Sequence, residues 1–334
     1  MRAKYNEKDA LRAAQIIFEN AKTARKLNRG FSHNIYEVET NSYPEKVILR
    51  FSNENPEKFG LEKEIRVNKI IQRLGLPVPR IIFYDKTKKL IPYEFVIMSK
   101  LEGEDLDFVW NKLSKKEQMQ IAEKMGEILG KIHSVKFNSF GLLLPKGISD
   151  EGKFSLKEVG EEARANAASF KILSDGLSDL GKFASYKIIN PEFTAEVANF
   201  IIKNKALSET NEKPALIHGD FFSANFRVKK IKGNWFITGL IDFEYAAAYT
   251  REFDFIKLAR NGFLQGCIKD AILKGYQKYQ VIDKNFDKKV EYLRIVRDIG
   301  FATVLLKAGD LEFTKKILNI IKEKINFKGE VFNF

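Results

Sequence analysis

The chain contains little cysteine and little histidine for its 334 residues. Its one cysteine, Cys267, cannot form a disulfide within the chain, which excludes a disulfide-stabilised scaffold and favours a reducing compartment. The three histidines, His33, His133 and His218, lie far apart in the sequence, and no zinc-binding spacing is present. A metal centre built on thiolates or imidazoles is therefore not expected.

Long apolar runs are also missing. No segment approaches the roughly 20 apolar residues that a membrane-spanning helix needs. The N-terminus lacks the apolar core of a signal peptide. We therefore expect a cytoplasmic protein that does not bind a membrane.

The chain is basic but lacks the pattern of a nucleic-acid site. Its 57 Lys and Arg residues outnumber 44 Asp and Glu residues, for a formal charge of +13. The lysines are spread over the whole chain and mixed with acids, and arginines do not alternate with aromatic residues. We interpret the charge as solvated, lysine-rich surface, so no nucleic-acid partner is expected.

An acidic, oxygen-rich stretch is present instead, from His218 to Asn225. A short apolar run at residues 215–217 leads directly into His218, Gly219 and Asp220. Gly219 permits a sharp backbone turn, and a carboxylate fixed at a strand end is a suitable general base. Asp220 is therefore the predicted catalytic base.

A predicted hairpin follows this stretch. Residues 226–231 and 235–242 resemble two strands, and residues 232–234 (Lys-Gly-Asn) have the composition of a tight turn. A hairpin returns the chain to its start, so Asp242 should lie beside Asn225. One amide oxygen and one carboxylate, completed by water and phosphate oxygens, suit Mg²⁺. Asn225 and Asp242 are the predicted metal ligands.

The spacing of these residues matches a phosphoryl-transfer site. Kinases use an Asp, four residues, an Asn and a later Asp-Phe-Gly. Here Asp220 and Asn225 repeat that spacing, and Asp242-Phe243-Glu244 takes the place of Asp-Phe-Gly. The Gly after His218 and the Ile-Asp-Phe-Glu sequence resemble the aminoglycoside phosphotransferase and choline kinase family. The alternative is that these acids only cap turns.

The resemblance implies an α+β, two-lobed, protein-kinase-like fold. Residues 1–98 would form a small nucleotide-binding lobe containing a sheet, with a leading helix over residues 7–27. Residues 99–103 would be a hinge. Residues 104–334 would form a larger, mainly helical lobe that carries the catalytic and substrate-binding residues.

The resemblance also implies the residues that bind the nucleotide. Gly30 and Ser32 lie in a loop where family members cover the phosphates, although an ordinary hairpin turn is an equal alternative. Arg50, near the end of a predicted strand at residues 45–51, stands where protein kinases carry Lys. Glu64 borders the apolar face of a predicted helix at residues 57–74 and is the natural partner of Arg50. Either charge could instead be an exposed surface residue.

The predicted hinge would bind the purine through its backbone. A strand at residues 93–98 runs into Ser99, and the groups involved would be those of Met98, Ser99 and Leu101. The next segment, residues 106–133, has a continuous helical pattern. His133 at its end and Asp254 after the hairpin are expected to be structural residues.

The implied reaction moves the γ-phosphoryl group of ATP (or GTP) to an alcohol with Mg²⁺, and the acceptor stays open. The candidate acceptors are an aminoglycoside, choline, ethanolamine, homoserine or a sugar. The alternative that is not an enzyme is a nucleotide-binding pseudokinase. Glu158, Glu161 and Glu162 could bind an amino sugar or simply be solvated. Choline needs an aromatic box, for which Trp110, Tyr245 and Tyr249 are available. The segment from residue 257 onward contains sixteen Lys or Arg residues and nine Asp or Glu residues. This positive balance disfavours a polycationic acceptor.

Overall fold

The computed structural model describes residues 5–27, 34–41, 43–52, 60–144, 155–156, 167–210 and 212–332. The chain begins with helix α1 (Glu7–Gln15) and then builds an antiparallel sheet of five strands in the order β1-β2-β3-β5-β4. The strands are β1 (Thr23–Lys26), β2 (Asn34–Glu39), β3 (Lys46–Phe51), β4 (Ile81–Asp85) and β5 (Phe95–Ser99). The alternating Val47, Leu49 and Phe51 of β3 are fully buried under α1.

The prediction of one helix over residues 7–27 is wrong. Asn6 caps α1 through a capping box with Asp9, but the helix ends at Gln15. Residues Thr23–Lys26 instead pair with β2, with Thr23 opposite Glu39. Pairing with a neighbouring strand has overridden the helical pattern there. As an edge strand, this segment forms its main-chain hydrogen bonds with β2.

Helix α2 (Leu61–Arg73) packs on the five-stranded sheet. Leu61 and Ile65 form a small core with Val96 of β5. The helix ends before Gly75, whose φ is +70°. This packing places the first turn of α2, with Glu64, over strand β3.

A short connection after β5 leads to the helical part of the molecule. Strand β6 (Glu104–Asp105) and helix α3 (Leu106–Val109) come first, followed by helix α4 (Lys115–Ile132). The single helix predicted for residues 106–133 is therefore interrupted. Ser114 accepts a hydrogen bond from the Glu117 N–H, and Glu117 bonds back to the Ser114 N–H, so a capping box starts a new helix there.

Two small sheets carry the catalytic stretch. Strands β10 (Phe226–Ile231) and β11 (Asn234–Leu240) form the predicted hairpin, and β6 pairs with β10. Strand β9 (Ala215–Ile217) pairs with β12 (Ala247–Tyr249), which pairs with β7 (Gly141–Leu144); β8 (Ser155–Leu156) lies at the edge. The segment before the catalytic loop and the segment after Asp242 thus lie side by side.

The remaining helices surround these sheets. They are α5 (Ala167–Ala184), α6 (Pro191–Lys203), α7 (Phe255–Arg260), α8 (Gly266–Tyr276), α9 (Phe286–Ala308) and α10 (Leu311–Lys324). One core joins α4 and α8 to the hairpin, and a second joins α5, α6, α9 and α10. The predicted α+β architecture, with a small sheet lobe and a larger helical lobe, is confirmed. Within the described ranges, no helix combines the length and apolar character that crossing a bilayer requires.

Candidate active site

The catalytic loop turns sharply at the end of β9. Gly219 has a φ of +78°, and a Cβ at this position would overlap the main chain of Tyr245. Only glycine satisfies both conditions without strain. The turn fixes the position of Asp220, which is largely buried.

Asp254 holds this turn in place. Its carboxylate oxygens accept hydrogen bonds from the backbone N–H groups of His218 and Gly219, each at 2.7 Å. The Nε2 of His133 donates to the same carboxylate at 3.0 Å, and the Tyr276 hydroxyl donates to His133 Nδ1 at 2.8 Å. Burial lowers the pKa of His133, which keeps the imidazole neutral. The structural roles expected for Asp254 and His133 agree with these contacts.

His218 connects the catalytic loop to the segment that leads into Asp242. Its Nδ1 accepts a hydrogen bond from the Asp220 N–H at 3.3 Å, and its Nε2 donates to the Ile241 carbonyl at 3.1 Å. The ring packs on Phe243, with centroids 4.6 Å apart. Burial lowers the pKa of His218, so it orders the loop as a neutral ring.

The Asp220 carboxylate is fixed from two sides. The Asn225 side-chain amide donates to the Asp220 carbonyl at 2.7 Å and to Asp220 Oδ2 at 3.1 Å. The Lys257 ammonium, from α7, contacts the other carboxylate oxygen. An adjacent ammonium favours the charged carboxylate, which is the form that can accept a proton.

Asn225 and Asp242 meet at the open end of the hairpin, as predicted. The Ile241 N–H donates to the Asn225 carbonyl at 3.0 Å. Asp242 has a φ of +71°, an unusual conformation for a residue with a side chain. Because the Asn225 amide nitrogen is used on Asp220, its oxygen is the atom that can serve a metal. Among the described residues no cluster of three or more His, Cys, Asp or Glu side chains is placed to hold an ion.

This donor set fits Mg²⁺ better than a tightly chelated metal. Mg²⁺ is commonly held by one or two carboxylates or neutral oxygens, with water and substrate phosphates completing the shell. Asn225 offers a neutral amide oxygen, and Asp242 offers a carboxylate. An ion such as Zn²⁺, which needs several His or Cys ligands, has no suitable donor set here.

The predicted contact between Arg50 and Glu64 is present. The two side chains form a bidentate pair, with nitrogen–oxygen distances of 2.7 and 2.8 Å, and both are largely buried. Arg50 also lies 3.8 Å from the Asp242 carboxylate and 3.9 Å from that of Glu244. The buried Lys63 ammonium donates to the Glu244 carbonyl. The sheet lobe therefore contacts the segment of Asp242 and Glu244 through charged groups.

The predicted hinge is a strand end packed on the hairpin. The Arg80 N–H donates to Ser99 Oγ at 2.8 Å, and the Thr238 hydroxyl donates to the Glu102 carbonyl at 2.6 Å. Gly239 leaves room for the Leu101 side chain. Met98 and Ser99 end strand β5. Gly30, Ser32 and the acidic cluster of Glu158, Glu161 and Glu162 lie outside the described residues.

Two of the three aromatic residues considered for a choline box, Trp110 and Tyr249, pack in different places. Trp110 packs on Phe263, with ring centroids 4.6 Å apart. Tyr249 packs edge-on to Phe140 and Phe253, at 6.2 and 5.2 Å. Trp110 belongs to the core around α4, whereas Tyr249 belongs to the core around α9.

Sequence reasoning missed a group of cations beside Asp220, which we call the cation cluster: Lys257, Arg260 and Arg297. Lys257 lies over the Phe222 ring, 4.5 Å from its centroid. Burial of Lys257 and the charges of Arg260 and Arg297 lower the pKa of its ammonium, whereas the adjacent Asp220 carboxylate favours the charged form. The three-residue spacing of Lys257 and Arg260 was a usable signal, but nothing in the sequence pointed to Arg297 of α9.

Comparison with known proteins shows the family of the chain. A model of the APH family, described as a phosphotransferase enzyme family, matches residues 23–284. The Altered inheritance of mitochondria protein 9 of Meyerozyma guilliermondii is 24% identical over 167 residues, which is 45% of this chain and 26% of that protein. The aligned part thus spans about a quarter of the relative's length.

Solved structures share the fold. APH(2")-IIIa in complex with GDP and kanamycin has a TM-score of 0.64 at 15% identity, covering 96% of this chain and 99% of that one. An ethanolamine kinase of Plasmodium vivax has a TM-score of 0.55 at 13% identity, covering 91% and 83% of the two chains. The family resemblance predicted from the motifs is confirmed, and the match over residues 23–284 shows that the chain belongs to the APH family of phosphotransferase enzymes.

Proposed function

We propose that the protein transfers the γ-phosphoryl group of ATP, or of GTP, to a hydroxyl group of a small molecule. One observation carries the proposal. The Asp220 carboxylate is fixed by Asn225 and Lys257 directly beside the hairpin end where Asn225 and Asp242 meet. Phosphoryl transfer needs little more than a positioned acceptor, a fixed base and compensation of phosphate charge.

In the proposed step the acceptor oxygen attacks the γ-phosphorus. The bond from phosphorus to the bridging oxygen of the leaving diphosphate breaks, and the hydroxyl proton moves to Asp220. The hydrogen bond from Asn225 to one carboxylate oxygen and the contact of Lys257 with the other fix the carboxylate. Asp254 fixes the backbone under it, so the base needs no rearrangement when the acceptor arrives.

Asn225 and Asp242 would hold Mg²⁺ in this reaction. A bound Mg²⁺ supplies charge neutralisation for the phosphate oxygens. Arg50 would bind phosphate oxygens, oriented by its bidentate pair with Glu64. The backbone of Met98, Ser99 and Leu101 would bind the purine, and Gly30 and Ser32 would cover the phosphates. A cytoplasmic location also stays a prediction.

Other acceptors of the same reaction are choline, ethanolamine, homoserine or a sugar, and a nucleotide-binding pseudokinase is the competing class. The separate packing of Trp110 and Tyr249 argues against the choline box considered above. The fixed Asp220, Asn225 and Asp242 argue against a pseudokinase, which would not need a positioned base.

The test measures Mg²⁺-dependent ATP consumption against a panel of small alcohols, for the wild type and Asp220→Asn. We expect turnover with at least one acceptor and a loss of about a hundredfold or more in kcat for the variant, because general-base contributions have that size. The affinity of the variant for Mg-ATP should stay within a few-fold of the wild-type value. Equal turnover by the variant, or no nucleotide binding by the wild type, would contradict the proposal.

A further inference from the structure

We propose that the acceptor carries an anionic group, a carboxylate or a phosphate, which binds to the cation cluster of Lys257, Arg260 and Arg297. This inference rests on the proposed function, because it names the chemical class of the alcohol that Asp220 would serve. It differs from the polycationic amino sugars that an acidic pocket would bind.

The cation cluster is built into the same loop that carries the base. Helix α7 starts immediately after Asp254, the anchor of the catalytic turn, and Lys257 and Arg260 stand one turn apart on it. Lys257 contacts the Asp220 carboxylate itself. Lys257 thus links the cation cluster directly to the proposed base.

Arg297 completes the cluster from a separate helix, α9. Its guanidinium lies over the Phe253 ring, 5.1 Å from the centroid, and Arg260 lies over Phe301 at the same distance. Phe301 lies one helical turn after Arg297 on α9, and Lys257 lies one turn before Arg260 on α7, so the three side chains of the cluster belong to the contact between these two helices. A flat aromatic ring supports each guanidinium group, and the ring under Arg297 holds that group without neutralising it.

Among the described residues, carboxylates pair with two members of the cation cluster and not with Arg297. Asp298 binds both Arg260 and Arg294, the latter at 3.4 Å, and Asp220 takes Lys257. Arg297 is solvent-exposed, and no carboxylate of the described residues lies within ion-pair distance of it. Further acids on this side are Asp175 near Tyr249, and Asp242 and Glu244 near Tyr245.

Such an arrangement selects by charge. Guanidinium groups bind carboxylates and phosphates through two parallel hydrogen bonds, and Arg297 has this fork available. An ammonium group in the same place would meet like charges at short range, which is unfavourable. We therefore expect the anionic end of the acceptor at Arg297 and its hydroxyl end at Asp220.

The experiment compares binding of matched three-carbon alcohols by calorimetry, with the protein saturated by Mg²⁺ and a non-hydrolysable ATP analogue. The probes are 3-hydroxypropanoate, 1,3-propanediol and 3-amino-1-propanol, with glycerol 3-phosphate and glycerol as a second pair. We expect both anions to bind at least about tenfold more tightly than their neutral partners, since one charged hydrogen bond has that value. The order of the two anions distinguishes a carboxylate site from a phosphate site.

Variants of Arg297 show whether the anion binds at this residue. Arg297→Gln should weaken anion binding about tenfold, Arg297→Lys should retain part of it, and the exposed Arg12→Gln of α1 should leave it unchanged. Thermal unfolding and analogue binding of each variant show that the fold is intact. Equal affinity for the three matched alcohols, unchanged affinity in Arg297→Gln, or no anion binding by the analogue-saturated protein would each overturn the proposal.

Failure of the proposed function gives a different result. If the nucleotide analogue itself does not bind, the phosphotransferase mechanism proposed above is contradicted. The anion titrations are then repeated without nucleotide, and the comparison of wild type with Arg297→Gln still decides whether the cation cluster is an anion site.

Discussion

Arg50 and Glu64 show how a single charged pair can prepare a nucleotide site. Both side chains are largely buried, so each needs the other, and their two hydrogen bonds fix the guanidinium plane. Asp242 and Glu244 lie within 4 Å of the same guanidinium. Without Glu64, Arg50 would turn toward Asp242 and compete with a metal for that carboxylate.

We therefore predict that Glu64→Gln raises the KM for Mg-ATP about tenfold and changes the KM for the acceptor little, because one charge-assisted interaction is lost on the nucleotide side. Glu62→Gln is the matched control on the same helix. Glu62 pairs with Arg66 and with Lys86 (3.3 Å), away from the site. Steady-state kinetics of the two variants check the prediction, and similar effects of both would contradict it.

At this scale the sequence predicted part of the site. Asp220, Asn225 and Asp242 could be brought together because a hairpin is a local structure whose register follows from its turn. The pairing of Arg50 with Glu64 followed from a strand end and a helix face. Arg297 could not be predicted, because its place beside Lys257 depends on how α9 packs against α7, which no local pattern encodes.

Among the elements, α4 and α8 pack main chain against main chain. Gly126 of α4 faces the main chain of Ile272, and Gly275 of α8 faces the main chain of Glu123. At each of these glycines a Cβ would overlap a carbonyl group of the other helix. This close packing holds Tyr276 against His133 and, through it, supports Asp254 under the catalytic turn.

Gly126→Ala should accordingly destabilise the protein by about 2 kcal/mol, because overpacking against backbone outweighs the helix-propensity gain of about 1 kcal/mol. Gly181→Ala in α5 is the control, since nothing lies within 4 Å of a Cβ at that position. That variant should gain about 0.5–1 kcal/mol. Chemical denaturation measures both, and a stabilised Gly126→Ala would show that the helices can separate at little cost.

The elements themselves were predicted unevenly. The hairpin β10–β11 and the start of α4 carry local signals, the Lys-Gly-Asn turn and the Ser114–Glu117 capping box. Strand β1 carries none, because Thr23–Lys26 alternates only weakly in burial and its state is decided by pairing with β2. Helix assignment past Gln15 failed for that reason.

For the molecule as a whole, two fully buried histidines make stability depend on pH. Burial lowers the pKa of both His133 and His218 below the ordinary value near 6.5. The unfolded chain therefore binds protons at a higher pH than the folded one. The stability gained by keeping both histidine rings neutral in the fold is fully present above about pH 6.5. It is lost as the pH falls below that value.

The midpoint of thermal unfolding should thus decrease between pH 7.5 and pH 5.5, with each histidine contributing up to about 1.4 kcal/mol per pH unit. His133→Gln should be less stable at pH 7.5 but should lose less stability on acidification than the wild type. Unfolding curves at several pH values test this. An unchanged pH slope in the variant would mean that His133 does not remain neutral in the fold.

Helix α7 has a consequence for engineering new acceptors. Its six residues follow the loop anchor Asp254 directly and also carry Lys257 and Arg260. Randomising α7 to redesign substrate choice would therefore disturb the catalytic turn in most library members. Position 297 on α9 offers a safer starting point for directed evolution, because it lies on a separate helix and meets the segment before Asp254 only through a ring contact with Phe253 among the contacts described above.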